Sequence, residues 1–279
     1  MEPGIGRITR AHGDYYHLVC NEAENEILAR KKKSVFKFRK LEDRNVKPDR
    51  FNEDRLNPIT GDFVRFRHNV QGESLITEVL PRFSHFERKD PTARRQAQTL
   101  AVNFDTLFIM MSLNENFSLP RLKRYLDLAE DLGEAEVVVV LTKLDLAENQ
   151  VEEALAAIRA LTEPTPKVLA ISSVTGMGLE QLEPYIQPRR TVAFIGSSGV
   201  GKSTLLNTLY GEEIFATQEI QEWSGKGRHT TTSRELVRLP NGALILDTPG
   251  IREIGRLDED EVELVKGESS HRWRVKCQS

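Results

Sequence analysis

Along the first eighty residues, apolar and polar positions alternate in short runs that are separated by turn residues. This period of two is typical of half-buried β-strands. Five such runs, with Gly13, Gly61 and Gly72 among the residues between them, predict a small all-β barrel of the oligonucleotide-binding (OB) type. The predicted strands cover residues 6–11, 15–20, 26–30, 62–67 and 74–79.

Beyond residue 102 the pattern changes to continuous apolar runs that alternate with segments of helical periodicity. Uninterrupted β-branched runs such as residues 137–141 are typical of strands buried in parallel sheets. The alternation therefore predicts an α/β domain. Its predicted strands are 105–113, 137–141, 167–171, 191–195 and 243–246, and its predicted helices are 118–132, 152–161 and 204–210, with a further helix beginning at 178–185.

These patterns predict four segments: a barrel at 1–82, a linker at 83–102, the α/β domain at 103–258 and a short tail at 259–279. The chain has 279 residues, of which 39% are hydrophobic, so it can form one sizeable core and a smaller one. It contains no run of 18 apolar residues and no signal-peptide core, and we expect a soluble, cytoplasmic protein without membrane contact, most simply a monomer.

One glycine-rich segment follows the strand at 191–195 and precedes the helix at 204–210. Its letters, GSSGVGKST, fit G-x-x-x-x-G-K-[ST], the phosphate-binding P-loop. Backbone N–H groups at such a helix start bind polyphosphate; Lys202 is expected to reach the β- and γ-phosphates and the Ser203 hydroxyl to ligate Mg²⁺. The predicted phosphate-binding residues are Gly196, Ser197, Ser198, Gly199, Val200, Gly201, Lys202, Ser203 and Thr204.

Two upstream strands end in polar loops that suit a guanine base. Asp145, in the sequence TKLD, can accept hydrogen bonds from guanine N1–H and from its N2 amine, whereas adenine offers neither donor. An unmet buried polar group costs about 1–3 kcal/mol, which would disfavour ATP. The stem of Lys143 can lie against the base, and the loop after residue 171 can offer an N–H to guanine O6. The predicted guanine-binding residues are Thr142, Lys143, Asp145, Ser172, Ser173 and Val174.

Downstream of the P-loop, the strand at 243–246 runs into the letters DTPG. Asp247 is expected to hold Mg²⁺, usually through a water, and the Gly250 N–H to contact a γ-phosphate. The polar segment at 225–232 can place a threonine hydroxyl on the metal; we predict Thr231, with Thr230 and Thr232 as alternatives. The predicted Mg²⁺ ligands are thus Ser203, Thr231 and Asp247.

Together GSSGVGKST, GRHTTT and DTPG, preceded by TKLD and ISSVTG, resemble the circularly permuted GTPases of the RsgA family. In ordinary GTPases the base-binding motifs follow the P-loop, whereas here they precede it. The resemblance covers roughly residues 1–258 and implies an OB barrel before a permuted P-loop GTPase domain. It also implies GTP hydrolysis with Mg²⁺ during late maturation of the small (30S) ribosomal subunit, with that subunit and its 16S rRNA as partners.

The resemblance also bears on catalysis. Many GTPases orient the attacking water with a glutamine, but Ile251 stands at that position. The family implies the same replacement, with His229 as a suspected substitute; that histidine can equally organise its segment or touch RNA. The predicted catalytic residues are His229, Lys202 and Gly250. We therefore expect slow hydrolysis by the chain alone and acceleration by a large partner.

Two departures from the family pattern stand out. Thr142 occupies the position where most GTPases carry asparagine, which predicts a weaker contact between base loop and P-loop. Family members also carry a zinc domain after the segment that corresponds to DTPG, and here His271 and Cys277 are the plausible ligands after residue 258. Because structural zinc needs four ligands, zinc is not expected in this chain. Cys20 and Cys277 also do not suffice for a disulfide framework.

Charge is unevenly distributed, which suggests where RNA would bind. The formal net charge is −3, but residues 1–95 contain 20 Lys and Arg against 15 Asp and Glu. Within 30–50 there are 10 basic residues against 3 acidic ones, interleaved with two phenylalanines. Such a stretch is typical of an RNA-binding surface, or else of a solvated loop with core-facing phenylalanines. The predicted RNA-binding residues are Lys31, Lys32, Lys33, Lys37, Arg39 and Lys40.

Three functions fit these features. The first is a GTP hydrolase that binds an rRNA-containing particle and uses hydrolysis to leave it. The second is a GTP-sensing RNA-binding module in which hydrolysis is incidental, as Ile251 and the short tail permit. The third is a P-loop ATPase or small-molecule kinase, which the carboxylate in TKLD disfavours and for which the sequence offers no second-substrate lid.

Overall fold

The computed structural model describes residues 4–21, 25–31, 57–88, 98–114, 117–213 and 235–247. The polar segment at 225–232, predicted to place a threonine hydroxyl on the metal, lies outside these residues. So do residues 32–50 of the basic stretch and everything after residue 247.

The N-terminal strands close into a barrel. The pairing order is β1-β2-β3-β5-β4, and β4 pairs back onto β1. The β3–β5 pair is parallel and the other pairs are antiparallel. This five-stranded closure confirms the predicted OB-type barrel. Its strands are β1 Gly4–His12, β2 Tyr15–Val19, β3 Ile27–Lys31, β4 Phe63–Arg67 and β5 Ser74–Val79.

The barrel interior is filled by the apolar positions of the alternating pattern. Ile8, Leu18, Ala29, Val64 and Ile76 have no solvent exposure and pack as one cluster. Successive residues of a strand point to opposite faces, so their neighbours face outward or toward the second domain. The period of two in the sequence is therefore the signature of this barrel wall.

A hairpin occupies part of the predicted linker. Strands β6 His85–Arg88 and β7 Gln98–Val102 pair in antiparallel fashion. Phe86 and Leu100 are buried in the core of the α/β domain beside Leu107. The charged residues around 86–96 obscured these apolar positions in the sequence. The division of the chain into domains stays a prediction.

The α/β domain has a parallel sheet with one antiparallel strand at its barrel side. The order β10-β9-β8-β11-β13 is parallel throughout, and β12 joins β13 in antiparallel fashion. The strands are β8 Thr106–Ser112, β9 Glu136–Thr142, β10 Lys167–Ala170, β11 Thr191–Ile195, β12 Glu235–Arg238 and β13 Leu244–Asp247. The helices are α1 Leu119–Leu128, α2 Val151–Leu161 and α3 Lys202–Tyr210. No helix among the described residues is both long enough and apolar enough to span a membrane.

Both faces of this sheet are covered, which explains its continuous apolar strands. All seven residues of β8 are buried. Leu107 and Ile109 pack on one face with Tyr125 of α1, while Phe108 and Met110 belong to the core on the other face. That second core also contains Leu205 and Leu206 of α3.

Two predicted helices differ from the structure. Helix α1 ends at Leu128 rather than near residue 132, because the following chain bends back to the segment just before β6: Glu134 N donates to Phe83 O at 3.0 Å. Gly133 permits this approach, since a Cβ there would lie 2.5 Å from Phe83 O. The prediction of a helix beginning at 178–185 was wrong, because this segment forms a 3₁₀ turn at Leu179–Leu182 instead of an α-helix.

The barrel and the α/β domain share one continuous sheet. Strand β1 pairs with β12 through Arg10 and Glu235, which gives eleven strands in one sheet across the described residues. Near this junction, Arg82 forms two hydrogen bonds to the fully buried Asp62, at 2.8 and 2.9 Å. Burial raises the pKa of Asp62, while the bonds and charge of Arg82 oppose that rise.

Phe108 provides a test of the α/β core. Its ring is fully buried and makes edge-on contacts with Tyr185 and Phe194 at centroid distances of 5.6 and 5.4 Å. We expect Phe108→Ala to lower the free energy of unfolding by about 3–5 kcal/mol, measured by chemical denaturation. Val70→Ala, at a site 77% exposed, should change it by less than about 0.5 kcal/mol. Equal losses in the two variants would contradict this description of the core.

Candidate functional site

The predicted site loops that lie within the described residues share one edge of the sheet. Strands β9, β10, β11 and β13 run parallel, so their carboxyl ends lie on the same side. The loops that follow β9, β10 and β11 begin at residues 143, 171 and 196, and β13 ends at Asp247 on the same side. In open α/β sheets this edge is where ligands bind. The loops thus share an edge although β8 separates β9 from β11.

The loop after β11 has the backbone that its glycines allow. Gly196 lies against β8, where a Cβ would stand 2.8 Å from Met110 O. Gly199 and Gly201 have φ values of 69° and 97°, which residues with a Cβ rarely adopt. Gly201 is the N-cap of α3, and Lys202, Ser203 and Thr204 form the helix's first turn. The strand, loop and helix start of the predicted P-loop are therefore present.

Lys202 folds over its own loop. Its Nζ donates to Gly196 O at 2.5 Å and to Ser197 O at 2.8 Å. Ser197 is 5% exposed and Ser198 is half-buried, while Gly199 is exposed at the tip of the loop. A positive charge is thus held at the loop, next to the positive end of the α3 dipole. Both features favour an anion.

Thr142 links two of these loops directly. It ends β9, is 2% exposed and donates from Oγ1 to Val200 O at 2.7 Å. The sequence predicted a weaker contact here because threonine replaces asparagine. The hydroxyl nevertheless makes one short bond from the β9 loop to the predicted P-loop.

The predicted base-reading carboxylate is oriented by a buried serine. Ser172 has no solvent exposure, and its Oγ donates to Asp145 Oδ1 at 2.5 Å. The same Oγ accepts from Thr175 N at 3.1 Å. A carboxylate has about four lone-pair sites, so Asp145 keeps acceptor capacity for other donors. The Ser172 hydroxyl is therefore engaged with Asp145, and a role for its backbone toward guanine stays a prediction.

The rest of the two base loops is more exposed. Lys143 has a positive φ of 60°, which turns the chain sharply after β9, and Leu144 N donates to Ile171 O at 3.1 Å. Ser173 O lies 3.1 Å from Thr208 Oγ1 of α3, which ties this loop to the helix after the predicted P-loop. Val174 is 78% exposed. The predicted guanine-binding residues therefore lie at the end of β9 and in the loops that follow β9 and β10.

The predicted metal ligands are only partly within the described residues. Ser203 lies in the first turn of α3, and Asp247 ends β13, whose Leu246 pairs with Ala193 of β11. Hydroxyl and carboxylate oxygens suit Mg²⁺, so these two residue types fit it. His229, Thr231 and Gly250 lie outside the described residues.

The predicted RNA-binding residues are described at one position. Lys31 ends β3, and its Nζ donates to Asn57 Oδ1 at 2.7 Å. The other five lie outside the described residues: Lys32, Lys33, Lys37, Arg39 and Lys40.

Two contributors were not identified from the sequence. Met110 limits the residue at 196 to glycine, and Thr208 ties α3 to the loop after β10. Both act across long sequence separations. No local pattern marks them, because their partners are set by strand order.

A sheet with this order, with a P-loop after β11 and base loops after β9 and β10, defines a circularly permuted P-loop protein. The RsgA GTPase family model matches residues 79–257. The chain therefore belongs to the RsgA GTPase family.

Individual relatives agree with this assignment. The small ribosomal subunit biogenesis GTPase RsgA 2 of Lactiplantibacillus plantarum is 40% identical over 250 residues, which are 90% of this chain and 66% of that protein. RsgA of Leptospira interrogans is 35% identical over 268 residues, 93% of this chain and 68% of that protein. The crystal structure of YjeQ from Thermotoga maritima aligns with a TM-score of 0.61 at 25% identity, covering 90% of this chain and 76% of that one.

The match is partial from the relatives' side. The chain spans from 54% to 68% of the length of the curated relatives it matches. What those proteins do as wholes is therefore a proposal for this chain.

Thr142→Val tests the link between the loops. The substitution removes the buried hydroxyl and leaves Val200 O without that donor. We expect the free energy of unfolding of the α/β domain to fall by about 1–3 kcal/mol in chemical denaturation. Thr175→Val, at an exposed position of a neighbouring loop, is the matched control and should lie within about 0.5 kcal/mol of the parent. If both variants matched the parent, the Thr142 bond would not contribute to stability.

Proposed function

We propose that this chain binds GTP with Mg²⁺ at the carboxyl edge of its parallel sheet and hydrolyses it. The chief support is the shared edge at which the TKLD, SSV and P-loop segments emerge beside the end of β13, with Thr142 bonded to the P-loop carbonyl of Val200 at 2.7 Å. Base-reading and phosphate-binding groups would then be positioned relative to each other before the nucleotide binds. Such preorganisation lowers the entropic cost of binding.

Guanine selectivity rests on Asp145. Its carboxylate accepts from guanine N1–H and N2, while Ser172 orients it through Oδ1 at 2.5 Å. Adenine would leave these acceptor sites without partners in a half-buried position. Lys143 lies against the base, and the loop around Ser173 and Val174 supplies an N–H to guanine O6.

The phosphates bind to the 196–204 loop. The backbone N–H groups at the start of α3 face the β-phosphate, and Lys202 exchanges its bonds to Gly196 O and Ser197 O for phosphate oxygens. Ser203, Asp247 and Thr231 of the 225–232 segment would hold Mg²⁺, which when bound would help to neutralise charge on the phosphate oxygens. Gly250 donates its N–H to the γ-phosphate.

Hydrolysis by the isolated chain is slow. Ile251 cannot orient a water, and His229 takes that role. A partner accelerates the reaction by completing the site, and gains of about 10³–10⁵ are typical of completion in trans.

The partner is the small ribosomal subunit, in late maturation. Relatives of this chain are named for small ribosomal subunit biogenesis. The OB barrel and the basic stretch that includes Lys31 contact its 16S rRNA, and the protein acts in the cytoplasm as a monomer.

Asp145→Asn tests the guanine assignment. An amide donates to the O2 of xanthine where the carboxylate accepted from the guanine amine, so preference should move from GTP toward XTP by about 5- to 150-fold. The measurement is the ratio of dissociation constants for the two nucleotides. Asp127→Asn, at an exposed position of α1, is the matched control and should keep the parent ratio. An unchanged ratio in Asp145→Asn would remove Asp145 from the base site.

Hydrolysis of GTP and of ATP, each with and without purified 30S subunits, tests the function as a whole. We expect GTP turnover to rise about a thousandfold or more with 30S, and ATP turnover to stay at background. Lys202→Ala should abolish nucleotide binding, or turnover, in both conditions. GTP binding without stimulation by 30S would favour the GTP-sensing RNA-binding module instead. Equal turnover of ATP would contradict the proposal.

A further inference from the structure

The contact between the barrel and the α/β domain is built around Arg7 of β1. This side chain is 8% exposed, and its guanidinium makes three hydrogen bonds. It donates to Thr191 Oγ1 at 2.7 Å, to Asn103 O at 2.6 Å and to Gly61 O at 3.3 Å. Gly61 lies just before β4 of the barrel, while Thr191 is the first residue of β11. Arg7 thus joins the barrel to the strand that enters the P-loop.

The surroundings keep this guanidinium charged and fixed. Desolvation lowers the pKa of Arg7 to about 10, although the charges of Asp105 and Asp62 raise it. The group is therefore cationic at neutral pH. Asp105 Oδ2 accepts from Thr191 N at 2.7 Å, so Thr191 is bound through both its main chain and its side chain. The Phe63 ring packs under the guanidinium at 4.8 Å.

A second contact lies further along β1. Arg10 is in register with Glu235 of β12, and Glu235 is in register with Asp247 of β13. The neighbouring strands β1, β12 and β13 therefore connect the barrel to Asp247, the residue that ends β13. Strand β1 thus contacts the α/β domain at the start of β11, through Arg7, and along β12, through its pairing at Arg10.

We propose that Arg7 is a positioning residue that couples nucleotide binding to the barrel through Thr191. The inference rests on the proposed function. With this coupling, β1 opens only when the start of β11 is disturbed. A nucleotide bound beyond the other end of β11 therefore also protects β1. By reciprocity, RNA bound to the barrel alters nucleotide affinity by the same factor.

The coupling predicts a measurable effect of GDP on a distant strand. Consider a ligand that binds only the folded state and is present at about 100 times its dissociation constant. It lowers the population of any opened state that cannot bind it, and so slows hydrogen exchange through that opening by up to about 100-fold. We therefore expect amides of residues 4–12 to exchange about tenfold or more slowly with GDP and Mg²⁺ than without them. Hydrogen–deuterium exchange measured by mass spectrometry gives the protection ratio, which is the exchange rate without GDP divided by the rate with GDP. Protection of α3 in the same experiment reports that the nucleotide has bound.

The variants separate coupling from simple stability. Thr191→Val removes the acceptor of the 2.7 Å bond and should reduce the protection ratio of β1 toward one while that of α3 stays as in the parent. Arg7→Met should act in the same way. A residue with only a structural role would speed exchange equally with and without GDP and leave the ratio unchanged. Thr77→Val is the matched control, because the Thr77 hydroxyl donates to Arg65 O at 3.1 Å within the barrel and does not contact the α/β domain through that bond.

Each outcome decides a different point. Protection of α3 but not of β1 in the parent would overturn the coupling and leave the proposed function standing. A parent-like β1 ratio in both Thr191→Val and Arg7→Met would also overturn it. Absence of protection everywhere would overturn the proposed function and the coupling together.

Discussion

The proposed nucleotide site depends on the parallel pairing of β8 with β9 on one side and with β11 on the other. Ile109 is in register with Val139 and with Ile195, and every residue of β8 is buried. Strand pairing requires neighbours in space and is indifferent to the order in which the chain supplies them. The base loops can therefore precede the P-loop in the sequence and still emerge at the same edge of the sheet.

Sequence pattern located the elements whose environment is uniform. The strand predicted at 191–195 has those bounds in the structure, and the one predicted at 137–141 is longer by one residue at each end. Both are continuous apolar runs buried on two faces. Strand β12, Glu235–Arg238, was not predicted, because four residues without clear alternation become a strand only through pairing with β13 and β1. Gly178, where the predicted helix would begin, has a φ of 73°, and the chain after it forms a 3₁₀ turn at Leu179–Leu182.

The candidate site was predictable to the level of its loops but not of its bonds. Motif spacing identified residues 142–145, 172–174 and 196–204 as segments, since phosphate and base chemistry restrict the residue types at those spacings. The bonds from Thr142 to Val200 and from Ser172 to Asp145 join different loops. They depend on strand register, which no single segment encodes. The Thr142 hydroxyl, through its bond to Val200 O, explains how threonine can serve at a position where the sequence suggested a weaker contact.

The junction between barrel and sheet is built around buried charged side chains, Arg7 and Asp62. Burying Arg7 and Asp62 costs several kcal/mol for each charge unless partners compensate, and replacement of such groups by apolar residues is often neutral or stabilising. Here Arg7 has three acceptors and Asp62 has Arg82, so the charges are compensated. Hydrogen bonds fix distance and angle, whereas apolar surfaces tolerate sliding. A polar junction therefore specifies one orientation of the barrel against β11 and β12. The proposed coupling requires such a fixed orientation, because only then can binding at the sheet edge change the stability of the barrel.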